Sequence, residues 1–168
     1  VVVPYGILLL QKFLFNYCYR LSRISLCETI NRINESCFST CQGLRALAIP
    51  NRVTAMDQDS CQGLNALAML ILPDSLTTVS NYAFTGCWSI SKLTIPENVT
   101  NIGNYALQNC CGLKELHFKP ASPPTLGGVN SFLNLPTDCV IYVPTDKLED
   151  YTSAQNYPSS ETYTYIEE

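Results

Sequence analysis

Apolar and polar positions follow a pattern that returns every 23 residues. Pro50, Pro73 and Pro96 mark the period, with Cys27 and Pro4 at the equivalent earlier positions. Three residues after each mark stands an aliphatic residue (Ile7, Ile30, Val53, Leu76, Val99), and three further on another (Leu10, Ile33, Met56, Val79, Ile102). Then come a mostly small slot (Leu14, Cys37, Ser60, Ala83, Ala106), a mostly aromatic one (Phe15, Phe38, Cys61, Phe84, Leu107) and a thiol-rich one (Cys18, Cys41, Leu64, Cys87, Cys110). Three aliphatic-rich slots close the unit, the last being Leu26, Ile49, Leu72, Ile95 and Phe118. The frame runs over residues 4–118 without insertion or deletion, and Val1 and Val3 fit the last strand positions of a preceding unit.

Each unit predicts two extended pieces. Of residues 90–96 the last positions alternate apolar and polar before Pro96, which removes a backbone donor and ends the strand. Residues 99–102 alternate likewise. Between this piece and the next strand, residues such as Ala106, Leu107 and Cys110 suit a single inward helical or 3₁₀ turn, too short to be stable alone. No unit can bury its own apolar side, so the units must stack, with parallel strands and one continuous core. Cys-Gln-Gly-Leu at residues 41–44 recurs at 61–64 and offers a competing 20-residue register. The 23-residue register keeps the apolar slots filled, places Cys61 and Leu64 inward, and turns Met69 outward.

The period stops after Phe118. Lys119 is followed by Pro120, Pro123 and Pro124 and then Gly127 and Gly128, a turn-rich exit. Phe132 and Leu133 are expected to tuck under the last unit. Residues 139–143 read as one more strand, and residues 146–151 as one helical turn capped by Asp146. The chain therefore divides into an array over residues 1–118 and a capping region over residues 119–168. Because Val1 begins inside a unit, two readings stay open: the array continues upstream in a longer protein, or this end is uncapped.

Composition changes this picture little. Apolar residues make up 46%, enough for a core, and the formal charge is -4. No basic run stands out, and Arg20, Arg23, Arg32, Arg45 and Arg52 differ in phase within the unit, which argues against nucleic acid and anionic membranes. The apolar run at residues 7–10 is too short to span a bilayer. Nine cysteines leave at least one thiol unpaired within the chain. Most occupy inward slots, where Cys packs as a small hydrophobe, so structural thiols are expected in place of disulfides. A ladder spreads sulfurs along an axis, whereas zinc needs them to converge, and no metal or cofactor is expected.

Groups for catalysis are equally scarce. The only histidine, His117, takes an outward, exposed position on the last regular strand, away from the inward thiols. Asp57 with Asp59, and Glu149 with Asp150, imply no cleft. The chain reads as no enzyme. Two glycan-acceptor patterns, at Asn34 and Asn98, have meaning only in a eukaryotic secretory pathway. What remains is the outward face of the strands. Ala46, Ala48, Met69 and Ile71 form an apolar patch, bordered on one side by Lys92, Thr94, Glu115 and His117. Apolar patches with polar rims mark contact surfaces.

The pattern L-x-x-L-x-I-P-x-x-V-T-x-I-G-x-x-A-F-x-x-C-x-x-L, best matched over residues 70–90 and 93–113, resembles the BspA-like, or Treponema pallidum-type, leucine-rich repeats. The tail is similar too, in Pro123-Pro124, residues 140–144 and Tyr151, though Tyr157 stands where the family usually has Trp. Cys27, Cys61 and Leu64 depart from the pattern. The resemblance implies a right-handed leucine-rich repeat solenoid. It also implies an extracellular or cell-surface location, with adhesion-like binding of a host matrix or other bacterial surface protein. A spacer or self-association role within a larger surface protein is the alternative. The shared motif is scaffold, so no binding residue carries over.

Overall fold

Alternation of apolar and polar residues in each unit is met by two short strands, joined by tight turns. The computed structural model describes residues 1–168. In chain order the elements are β1 (Leu9–Leu10), β2 (Arg32–Ile33), β3 (Ala46–Ala48), β4 (Ala55–Met56), β5 (Met69–Ile71), β6 (Thr78–Val79), β7 (Lys92–Ile95), β8 (Asn101–Ile102), β9 (Glu115–Phe118), β10 (Thr125–Leu126), β11 (Val140–Val143), α1 (Leu148–Thr152) and β12 (Thr164–Glu167). They stack into a right-handed solenoid with parallel strands. One side is a six-stranded sheet, β1-β2-β4-β6-β8-β10. The other carries β3-β5 and, as a separate sheet, β7-β9-β11-β12.

Strand pairing fixes the register. Leu9 faces Arg32, Ala46 faces Met69, Thr78 faces Asn101 and Lys92 faces Glu115, each pair one 23-residue unit apart. The 20-residue alternative fails: Cys61 and Leu64 are fully buried and Met69 points out. Stacking also continues beyond Phe118, at longer offsets. Asn101 faces Thr125, Glu115 faces Val140, and Val140 faces Thr164.

The inward turn is present, with bonds from residue i+3 to i, as in Leu14 N–H to Gln11 O and Cys18 N–H to Phe15 O. It does not propagate as a helix. Two residues per turn take positive φ, including Ser36 (53°) and Thr40 (64°), then Tyr105 (59°) and Asn109 (58°). This alternation swings every second amide along the stack. Thus Ser36, Phe38 and Thr40 donate to Gln58, Ser60 and Gln62 one unit on, at 3.0, 2.9 and 2.7 Å. The turns thereby zip the layers together as a third ladder, which a 3₁₀ turn cannot do because all its amides point back along the chain. Gly103 belongs to this close packing: a Cβ there would collide with the backbone of Ser80 and Asn81.

Side chains from the inward slots and from the tail form one core of 39 residues. Within it the thiol slot has a polar use. Sγ of Cys41, Cys87 and Cys110 donates to the carbonyls of Phe15, Cys61 and Phe84 in the preceding layer, at 3.0, 3.3 and 3.3 Å. All nine cysteines are unbridged. Burial raises the thiol pKa of Cys41 and Cys139 to about 11. Cys18 departs from the expectation of an inward thiol. Its slot belongs to the first layer, which only the Val2–Ser25 bridge extends, so Cys18 is exposed beside a hollow of about 660 Å³ among Phe15, Tyr17 and Leu21.

The tail covers the other end with tyrosines. Tyr151 and Tyr157 pack against Phe118, and their hydroxyls donate to the carbonyls of Pro120 (2.7 Å) and Pro124 (2.9 Å). The proline-rich exit thereby has its carbonyls satisfied. Two expectations are corrected here. Phe132 is buried but Leu133 is exposed, because the turn ladder swings alternate residues outward. Asp146 does not cap α1: it takes φ 62°, Lys147 holds the cap position, and the Glu167 carboxylate accepts from the amides of Lys147 and Leu148, both at 3.1 Å.

Candidate functional site

The outward grid lies on the side built by β3, β5, β7 and β9. Alternation along each strand sends Leu47, Leu70, Leu93 and Leu116 into the core and their neighbours out. Ala46 and Ala48 on β3, Met69 and Ile71 on β5, and Lys92 and Thr94 on β7 are all exposed. Met69 is 57% and Ile71 53% exposed, side by side with the two alanines. Glu115 is half-buried and bonds Lys92 at 2.8 Å.

His117 corrects the expectation of an exposed side chain. It does point outward on β9, yet it is only 6% exposed. β11 pairs alongside and lays Tyr142 against the imidazole, the rings stacked with centroids 4.2 Å apart. Nδ1 lies 2.9 Å from both carboxylate oxygens of Glu168, and Nε2 lies 3.0 Å from Glu115. Lys119 donates to Glu168 at 2.6 Å. The cluster pins the end of β12 to the array. Hydrogen bonds from Lys92 and His117 hold the Glu115 carboxyl below its usual range. Burial opposes ionisation of Glu168, but hydrogen bonds from Lys119 and His117 outweigh it and lower its pKa.

Beside the patch the sheet is interrupted, a feature that no residue pattern announced. Elsewhere on this side equivalent amides cross between layers: Ile49 N–H donates to Ile71 O at 2.9 Å, and Glu115 N–H to Ser91 O at 3.0 Å. Their counterparts, Leu72 to Thr94 and Lys92 to Ala68, are missing, and β5 and β7 belong to different sheets. The same two layers remain joined through β4-β6 and through the turn ladder, where Cys61 N–H donates to Ala83 O at 2.9 Å. A slot of about 460 Å³ opens here, lined by Leu70, Ile71, Leu72, Thr94 and Pro96, with Asp74, Glu97 and Lys119 at its end. Leu72 is correspondingly half-buried, whereas Ile49 and Ile95 in the same slot are 4% and 1% exposed.

No group of three or more His, Cys, Asp or Glu side chains converges as metal ligands do. No helix is long and apolar enough to cross a membrane.

The chain is similar in structure to the pneumococcal vaccine antigen PcpA, with a TM-score of 0.85 and 22% identity, over 100% of this chain and 41% of that one. It is similar also to a leucine-rich repeat protein from Bacteroides ovatus ATCC 8483, with a TM-score of 0.77 and 24% identity, over 99% of this chain and 42% of that one. It thus spans about two-fifths of the length of each, and at these identities the likeness is one of fold. None of the curated proteins matches it in sequence. The model of the BspA type leucine rich repeat region matches residues 9–134 in six copies. With that match over most of its length, and with 23-residue layers in its strand pairing, the chain belongs to the BspA-type leucine-rich repeat family.

Proposed function

We propose that this chain is a non-enzymatic, extracellular or cell-surface recognition module. Its partner is another protein, of the host matrix or of another bacterial surface. The contact surface is the outward face of β3, β5 and β7. The observation that carries this reading is the pair Met69 and Ile71, more than half exposed on the two-stranded β3-β5 sheet in an apolar patch with Ala46 and Ala48. Covering two large apolar side chains that are about half exposed returns about 1–1.5 kcal/mol each on contact with a partner. Lys92, Thr94 and Glu115 supply a polar rim, the usual anatomy of a binding patch. His117 is held within the β12 cluster and lies outside this surface. Display outside the cell accords with PcpA being described as a vaccine antigen.

The test is capture from host-matrix and bacterial-surface extracts by the wild-type chain and by Met69→Lys/Ile71→Lys. Both positions are exposed, so the fold should survive, as circular dichroism would show. Proteins retained by the wild type and lost by the variant support the reading. Equal capture by both chains would refute it.

A further inference from the structure

The slot between β5 and β7 supplies features that the flat apolar patch lacks. Along the same gap the Leu72 amide, on the slot's wall, and the Lys92 amide, outside its lining, lack the interlayer acceptors that their equivalents have. A ligand that approaches these donors must bring acceptors, and a polypeptide backbone brings one per residue. The lining side chains Ile71, Leu72 and Pro96 are apolar. About 460 Å³ is room for one or two side chains and far too little for a folded domain. At the end of the slot Asp74 and Glu97 stand one unit apart, both exposed, and neither carboxylate is paired with a cation. Lys119, the cation nearby, is held by Glu168 at 2.6 Å. Two stacked carboxylates disfavour an anionic occupant and favour a basic one. They are also too few to hold a metal ion without further ligands.

We infer that the slot binds an extended polypeptide segment of the partner, an aliphatic side chain seated against Ile71, Leu72 and Pro96 and an adjacent Arg or Lys on Asp74 and Glu97. This rests on the recognition surface proposed above and names the kind of segment that the surface takes. The backbone of the segment accepts from the unpaired amides, so that the interrupted sheet is completed by the ligand. The remaining ladders of the two layers keep the slot's walls in place while it is empty.

The experiment titrates the ¹⁵N-labelled chain with the peptide acetyl-Ser-Thr-Leu-Arg-Lys-Ser-amide. Two controls replace Leu by Ser, or Arg-Lys by Glu-Glu. The expected result is saturable shifts of the Leu72, Lys92 and Thr94 amides with the first peptide. Binding should weaken about tenfold in Asp74→Asn/Glu97→Gln, the loss expected for two partly screened charge contacts. Equal binding of the Glu-Glu peptide, unchanged binding by the double variant, shifts confined to other surfaces, or no shifts at all would overturn the inference. The two proposals fail separately. If Asp74→Asn/Glu97→Gln captures extract proteins as wild type does while Met69→Lys/Ile71→Lys does not, the slot is refuted and the recognition face stands. If both variants capture as wild type does, both are refuted.

Discussion

Cys87 gives the sharpest test of how the layers are held. Its side chain is fully buried, and its Sγ is the one hydrogen-bond donor to the Cys61 carbonyl, at 3.3 Å. Cys110 occupies the same slot one unit on, but the Phe84 carbonyl that it meets also accepts the Cys87 amide at 3.3 Å. Substitution by Ala deletes one heavy atom in either case. That removes about 0.8 kcal/mol of burial and leaves about 25 Å³ empty, a further 0.6 kcal/mol or so. At Cys87 the substitution also strands a buried carbonyl, which costs about 1–3 kcal/mol. Cys87→Ala should therefore lose about 2.5–4.5 kcal/mol, and Cys110→Ala about 1.5 kcal/mol. Cys87→Ser restores a donor and should fall between them. Urea unfolding of the reduced proteins, followed by circular dichroism, measures the three losses at constant slope. Equal losses at the two positions, or a larger one at Cys110, would refute the idea that the thiol slot serves interlayer carbonyls as well as packing.

Three further outcomes follow from the ladders. Amides of Leu72 and Lys92 should exchange with solvent much faster than those of Ile49 and Glu115, which are bonded across layers at 2.9 and 3.0 Å; equal protection would mean that β5 and β7 pair after all. Thr40 is β-branched at φ 64°, so Thr40→Gly should stabilise the fold, relief of about 1–2 kcal/mol outweighing a glycine entropy cost of about 0.5–1 kcal/mol. A lower urea midpoint for this variant would contradict the assigned turn. Glu115 and Glu168 both have lowered pKa values, so their contribution is complete above the unfolded carboxylate pKa of about 4.3 and fades as pH falls through the lower folded values. Protection of the Glu168 amide, which donates to Val143 O at 2.9 Å, should fall relative to its intrinsic exchange rate in that acid window, and Glu168→Gln should flatten the dependence; constant protection would exclude the clamp.

The array was legible because its core slots recur at one interval. Cys61, Leu64 and Met69 were placed correctly by that interval although the local text invited another. The tail was less legible because its strands pair at offsets of 24 and 25, so nothing in the 23-residue frame showed that Tyr142 and Glu168 would cover His117. The turn ladder escaped for a different reason. Its left-handed positions are filled by Phe13, Ser36, Tyr82 and Tyr105 as well as by Gly63 and Gly86, so glycine did not mark them. The interruption between β5 and β7 is carried by missing backbone bonds among ordinary residues, which no residue type signals. Of the outward grid, Ala46, Ala48, Met69, Ile71, Lys92 and Thr94 are exposed as strand alternation requires, with Glu115 half-buried at the margin.

Contact through the β3, β5 and β7 face would leave a hydrogen-exchange footprint there. The full chain would be measured alone and with a protein that it captures. Protection gathered on residues 46–48, 69–72 and 92–94 is the predicted result. Protection gathered on the opposite sheet, at residues 55–56, 78–79 and 101–102, would contradict it.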